Sequence, residues 1–532
     1  MATLHEEIVG EMLEGCTAWP EDFVRRYRLE GYWAGIALHE MLTSTPPKGC
    51  GVMKLFEPLD IGGTLIPNRI MVPAIVTRLS GEDGFVNQDI TNRYVRYAQG
   101  GAGLIVIEAM AVHHAKAGPL LRISDDRFIP GLAALAQCIH DTSDSKVVPQ
   151  IIHFMKVSKS GWRQTIDMLS LAEIDRIVEE FGDAVARARE AKFDGAELHS
   201  AHAYTLASFL SRTNPRKDEY GGETLEGRLR LISRIFENIR RKVGKDFPVG
   251  VRFLADEFIK NGYTVNDAKL IGLRLAQLGT AYLSLSVGGK FEDAIHLPGQ
   301  VPYPYTGYSG DRCMPGDWYP AVPHAHFSAE IKAFVKAHGF NTPVATAGKI
   351  SDPDDAERLM STGAVDIIGI ARGLLADPDW PHKVRQNERE RIVKCDYCNV
   401  CKHLDGAHMK VVCALWPQGA LQAPPDDRQS TEPGWDATGA NLTVSASDGK
   451  AVLKWNKATG AARYDVCRTD PLGKVEVIDA VKVTRWEDPN LLSGMPYRYQ
   501  IRAFGAAGQG GASSNMVTVR LPGPDSEIVR FF

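Results

Sequence analysis

Four cysteines crowd one short stretch of this chain. In KCDYCNVCKHLDGAHMKVVC, residues Cys395, Cys398, Cys401 and Cys413 form the pattern C-x2-C-x2-C-x11-C. Thiolates at such spacing bind zinc or an iron–sulfur cluster. Zinc sites more often pair two C-x2-C knuckles, whereas three close cysteines and one distant cysteine suit a [4Fe–4S] cubane, which passes single electrons. The other five of the nine cysteines (Cys16, Cys50, Cys138, Cys313 and Cys467) are scattered and read as free thiols of a reducing compartment. A second constellation is His199, His202 and Tyr204, at the end of the apolar run FDGAELHSA. Two imidazoles and a phenol are groups for acid–base work. A third candidate is Arg252, which ends the apolar run VGVRF and needs an anion beside it.

These residues must be placed by a scaffold, and the sequence describes one. From Lys54 to about Asn387, short β-rich runs alternate with amphipathic helices. GLIVIEAMAV, KVVPQIIHF, FDGAELHSA, FPVGVRFLA, AYLSLSV, TPVATAG and VDIIGIA read as strands; LAEIDRIVEEFGDAVARAREA and LEGRLRLISRIFENIRRKVG read as helices between them. Repeated βα units imply a parallel sheet with helical crossovers. About eight units over residues 51–390 suit a (β/α)8 TIM barrel, which carries its chemistry at the carboxyl ends of its strands. A doubly wound sheet is the structural alternative, but no G-x-G-x-x-G opens any unit. The cysteine segment occupies residues 391–417. A Pro- and Asp-rich linker covers 418–435, and short alternating strands over 436–523 read as an all-β sandwich. Residues 1–50 read as a helical extension. The net charge of −4 offers no basic field for nucleic acid, and no apolar run is long enough to span a membrane. The amino terminus lacks the basic and apolar regions of a signal peptide, so a cytoplasmic protein is expected.

The stretch FDGAELHSAHAYTLASFLSRTNPRKDEYGG (193–222), with LFEPLDIGGTLIPNRI, FPVGVRF and DIIGIARGLLADPDW, resembles the old yellow enzyme family, including bacterial 2,4-dienoyl-CoA reductase and trimethylamine dehydrogenase. The resemblance implies an FMN-dependent oxidoreductase over residues 54–388. It implies that His199 and His202 bind the substrate's oxygen, that Tyr204 supplies a proton, and that hydride passes between flavin and an activated C=C. Gln150 matches the residue at the flavin pyrimidine edge, and Arg252 the arginine near N1 and O2. Gly348, Lys349, Ala371 and Arg372 match the loops that hold the FMN phosphate. Ala74, Val76 and Ala109 complete the flavin wall.

Departures accompany the match. Ala74, Ile75 and Val76 stand where relatives often have Cys or Thr, and Ala371 replaces a glycine. The loop after the Gln150 strand, Lys156–Ile166, is short. An insertion over 295–325, rich in Tyr, Trp, Pro and His, reads as a lid over substrate.

The cysteine segment after the barrel resembles the [4Fe–4S] site of the same two relatives. Those relatives continue into nucleotide-binding domains, whereas the residues after the cysteines here show no glycine fingerprint. Electrons are therefore expected from NAD(P)H directly or from an external electron-transfer protein.

The sandwich, with Trp455, Tyr464 and Tyr497, resembles a fibronectin type III domain. Residues 12–42 resemble the opening of aryl-acid adenylating enzymes without their later motifs, which suggests aromatic-acid or natural-product metabolism. The expected activity is ene-reduction of a small molecule, or its reverse, in a homo-oligomer. The alternatives are an amine dehydrogenase, against which His199 speaks because that subgroup has tyrosine there, and a non-enzymatic scaffold.

Overall fold

The computed structural model describes residues 53–521, apart from 116–117, 157–162, 290–309, 311, 318, 427–432, 436–437, 448, 472–474 and 505–509. The helical extension read over 1–50 and the larger part of the 295–325 insertion lie outside the described residues. The described chain divides into two compact units. One holds residues 54–379 and 393–424, the other residues 380–392 and 425–521.

The first unit opens with a hairpin, β1 (Leu59–Ile61) and β2 (Thr64–Ile66). Gly62 and Gly63 make its turn with φ of 67° and 94°. Two successive positive φ angles are what a two-residue turn needs to match strand twist, and glycine adopts them without strain. Ile61 and Ile66 pack into one core with Met71, Val106, Val148, Tyr282 and Ile367.

Eight parallel strands then close a barrel in sequence order: β3 (Ile70–Val72), β4 (Leu104–Ala111), β5 (Lys146–Ile152), β6 (Ala196–Ser200), β7 (Val249–Leu254), β8 (Leu283–Ser286), β9 (Val344–Ala347) and β10 (Ile367–Gly369). The last strand returns to the first, with Ile368 opposite Ile70 and Gly369 opposite Met71. Strands covered on both faces read as unbroken apolar runs, and β4 is buried at every residue.

The crossovers carry helices α1 (Gln88–Gln99), α2 (Ile129–Thr142), α3 (Leu171–Glu190), α4 (Thr205–Leu210), α5 (Leu225–Val243), α6 (Val265–Gln277), α7 (Ala325–Ala337), α8 (Pro353–Ser361) and α9 (Arg372–Ala376). Helix α3 starts where the sequence says it must. Ser170 accepts from Glu173 N, and the Glu173 carboxylate accepts from Ser170 N, a reciprocal cap. Seven of the barrel strands coincide with the apolar runs read from sequence. The eighth, β3, is three residues long and stops before Pro73.

In the second unit, β11 (Thr443–Ser447), β12 (Lys450–Lys454) and β15 (Arg485–Asp488) form an antiparallel sheet. A second antiparallel sheet runs β14 (Val475–Val481), β13 (Arg463–Thr469), β16 (Pro496–Phe504) and β17 (Gly510–Ser513), with β18 (Val517–Arg520) also on β16. Leu453 and Trp455 from one sheet region meet Tyr464, Val466, Tyr499 and Ile501 from the other in a common core. Among the described residues, no helix is long and apolar enough to cross a membrane.

Candidate active site

His199 lies within β6, and His202 and Tyr204 lie in the turn that joins β6 to α4. That turn is strained, since His202 and Ala203 take φ of 58° and 61°. Non-glycine residues keep left-handed backbone only when their surroundings hold them there. One such constraint is Gly289, with φ of 117°: a Cβ on it would stand 2.6 Å from His202 Cα. The amide of Ala201 donates to His199 Nδ1 at 3.3 Å, which leaves the His199 proton on Nε2. Nε2 of His199 faces His202 Nδ1 at 3.4 Å, and His202 Nε2 lies 2.7 Å from Ser286 Oγ on β8. The Tyr204 ring stands edge-on to His199, with centroids 5.0 Å apart. Burial, and then the charge of Arg252, holds both imidazoles well below the usual histidine range. At neutral pH they are uncharged donors and acceptors rather than cations.

Beneath this group lies a buried polar network. Gln150 on β5 donates its amide to Glu197 Oε1 at 2.7 Å, and Tyr282 donates its hydroxyl to Glu197 Oε2 at 3.0 Å. Glu197 is 1% exposed, and burial raises its pKa against the opposing pull of Arg252. With its nitrogen committed to Glu197, the Gln150 amide has its oxygen left to accept. Arg252 on β7 has a buried Nε with no hydrogen-bond partner. A half-buried cation with an orphaned buried donor fits an anionic or carbonyl-rich ligand in the same space.

At the other end of the site, Gly348 takes φ of 124°, and a Cβ there would stand 2.7 Å from His324 Cδ2. The next residue, Lys349, donates to the carbonyls of Asp317, at 2.9 Å, and Tyr319. Arg372 Nη1 donates to Pro315 O at 2.8 Å and Asn399 Oδ1 at 2.6 Å. An ammonium has three donors and a guanidinium five, so both retain capacity for an anion.

These groups share one cavity of about 1090 Å3 at the carboxyl end of the barrel. Its walls include all twelve residues read from the sequence: Ala74, Val76, Ala109, Gln150, His199, His202, Tyr204, Arg252, Gly348, Lys349, Ala371 and Arg372. It has room for a flavin and a substrate together.

Residues 54–285 and 319–391 match the model of the NADH:flavin oxidoreductase / NADH oxidase family. The chain belongs to this family. It is an oxidoreductase of the old yellow enzyme type, and the family uses FMN and NAD(P)H. Among curated relatives, the chain is 34% identical to an NADH oxidase of Thermoanaerobacter brockii, over 65% of this chain and 53% of the relative. It is 29% identical to an N,N-dimethylglycine/sarcosine dehydrogenase of Chromohalobacter salexigens, over 68% and 52%. It is 27% identical to a cinnamate reductase of Clostridium sporogenes, over 65% and 54%. The chain thus spans about half the length of these relatives.

The cysteine segment folds onto the same barrel unit. Cys401 and Val411 share a core with Leu375 of α9 and Trp416, and Trp416 donates its indole N–H to Leu375 O at 3.1 Å. Helix α10 (Trp380–Arg385) belongs to the second unit; α11 (Val400–Gly406) carries Cys401. Cys395, Cys398, Cys401 and Cys413 are all free thiols and feel one another's charge. Burial pushes each thiol up, Cys401 to about 11, while the charge of Arg372 pulls Cys395 and Cys401 down. Among the described residues, no three His, Cys, Asp or Glu side chains converge as a group that could hold a metal ion. The chemistry of the donor set fits a metal group, while the closeness expected of a single-ion site is not seen.

Sequence reasoning missed four residues that the fold brings into the site. Glu197 was visible as an acid inside an apolar run, the one local signal available. Ser286 and Tyr282 belong to β8 or its approach and meet their partners only through barrel closure. Tyr397, between two of the cysteines, lines the cavity.

Proposed function

We propose that this chain reduces an activated C=C next to a carbonyl, or runs the reverse dehydrogenation. The observation that carries this reading is the meeting of His199, His202 and Tyr204 at one wall of a cavity whose other walls offer Gln150, Arg252, Lys349 and Arg372. FMN would be held by Gln150 and Arg252 at its ring, by the Ala74–Val76 segment and Ala109 along the wall, and by Gly348, Lys349, Ala371 and Arg372 at its phosphate. When bound, it supplies the hydride chemistry of the reaction.

The residues of the chain do the rest. His199 offers its Nε2 proton toward the space beside His202. That proton is within reach of His202 Nδ1, and His202 Nε2 in turn shares a hydrogen bond with Ser286 Oγ. A substrate carbonyl entering beside the two rings would take the His199 N–H in place of His202 Nδ1, and the uncharged pair would polarise it without losing a proton. Tyr204, beside His199, gives a proton to the α-carbon in reduction and takes it in the reverse direction. Arg252 steadies negative charge at the flavin ring, with Glu197 as its buried counter-ion.

Cys395, Cys398, Cys401 and Cys413 would hold a [4Fe–4S] cluster, which when bound passes single electrons to or from another carrier. Their C-x2-C-x2-C-x11-C spacing supports it. NAD(P)H or a separate electron-transfer protein would complete the electron path.

A second reading is amine oxidation, supported by the likeness to the N,N-dimethylglycine/sarcosine dehydrogenase. One experiment separates the two. The His199→Ala, His202→Ala double variant should keep FMN but lose binding of phenols and cyclic enones by tenfold or more, on the order of two lost hydrogen bonds. Unchanged phenol titration would remove the oxygen-binding role and leave the amine reading ahead.

A further inference from the structure

Tyr397 lies between Cys395 and Cys398, and Asn399 between Cys398 and Cys401. Both take left-handed backbone, with φ of 57° and 59°. Asparagine visits that region readily; a tyrosine stays there only when its contacts over-determine it. Several contacts hold Tyr397 there. Lys349 Nζ lies 4.8 Å from the centre of the Tyr397 ring, and Arg372 Cζ lies 4.8 Å from it as well. The Tyr397 hydroxyl donates to Ser351 Oγ at 2.7 Å. Asn399 accepts from Arg372 and donates to Met314 O at 3.1 Å.

The two cations are those that the flavin reading assigns to the FMN phosphate. Side by side they repel, and an aromatic ring that attracts both through its negative face offsets that repulsion and fixes their positions. We propose that the loop bearing Cys395, Cys398 and Cys401 is also a wall of the phosphate pocket, with Tyr397 as the positioning residue that links flavin retention to the order of the cysteine loop. The inference rests on the flavin reading above. A metal group that pins the three cysteines would lock Tyr397 against Lys349 and Arg372, and bound FMN would in turn hold the loop closed, because such coupling is reciprocal.

The test compares FMN with riboflavin, which lacks the phosphate, on the full chain by flavin fluorescence quenching. Tyr397→Ala keeps the left-handed cost but removes the ring, while Tyr397→Phe keeps the ring and serves as the rescue. The Ala variant is expected to raise the FMN Kd by about tenfold, leave the riboflavin Kd unchanged, and the Phe variant to stay near the native value. Stripping the metal from the native chain with a chelator is expected to raise the FMN Kd in the same selective way. Equal weakening of FMN and riboflavin in the Ala variant, or no weakening of FMN, overturns the inference. A native chain that binds riboflavin as tightly as FMN, or binds neither, contradicts the flavin reading itself and takes this inference with it.

Discussion

His202 Nε2 lies 2.7 Å from Ser286 Oγ, a bond that reaches from the turn after β6 to the end of β8. It ties one nitrogen of His202 to β8 and keeps the other, Nδ1, opposite His199 Nε2. Ser286→Ala removes that tie. The expected result is about tenfold weaker binding of an enone or phenol with FMN affinity unchanged, read by ligand-induced changes in the flavin spectrum. Unaltered ligand affinity would show that Ser286 does not position His202 for the ligand.

Glu197 predicts a change in a different observable. Its carboxylate is the buried negative charge felt by Arg252, and it also holds the Gln150 amide. Glu197→Gln keeps the shape and removes the charge, so Arg252 would stabilise reduced flavin more strongly. The flavin midpoint potential should move to a more positive value. An unmoved potential would contradict the charge role of Glu197 and reduce it to a hydrogen-bonding one.

Stability should carry the signature of a second buried acid, Glu108 on β4. Its Oε2 accepts from Thr77 N at 3.1 Å and Tyr94 OH at 3.3 Å, and burial raises its pKa to about 7. A carboxyl raised above its unfolded value binds a proton more tightly in the folded state. Folded Glu108 is therefore favourable below its unfolded pKa, and stability is lost as pH rises toward 7. Glu108→Gln resembles the protonated form and escapes this loss. Its stability relative to the native chain should climb between pH 5 and pH 7.5, by up to about 3 kcal/mol. Urea unfolding at the two pH values checks the sign, and a difference that does not change with pH would contradict the buried-acid account.

The scaffold was legible because its signals are local. The strands β4 to β10 appear as apolar runs, and α3 announces itself through the Ser170–Glu173 cap. The twelve barrel-site residues were legible through resemblance, and the fold gathers them into one cavity. What stayed hidden depends on closure of the barrel. Ser286 looks like any strand serine until β8 stands near the β6 turn, and Tyr282 meets Glu197 only across 85 positions of chain. Tyr397 was masked by its neighbours, since a residue between cysteines reads as spacer. The hairpin β1–β2 was hidden too, because three-residue strands are too short for alternation to show.

If a flavin in the barrel works beside a four-cysteine cluster, an anaerobic visible spectrum of the purified chain, with flavin and iron quantified before and after NADH or NADPH, detects both. About one FMN and about four irons per chain are expected, with the flavin bands bleached on reduction and the broad iron–sulfur absorbance lost in Cys398→Ala. A colourless chain without flavin, or one that keeps full iron in Cys398→Ala, would contradict it.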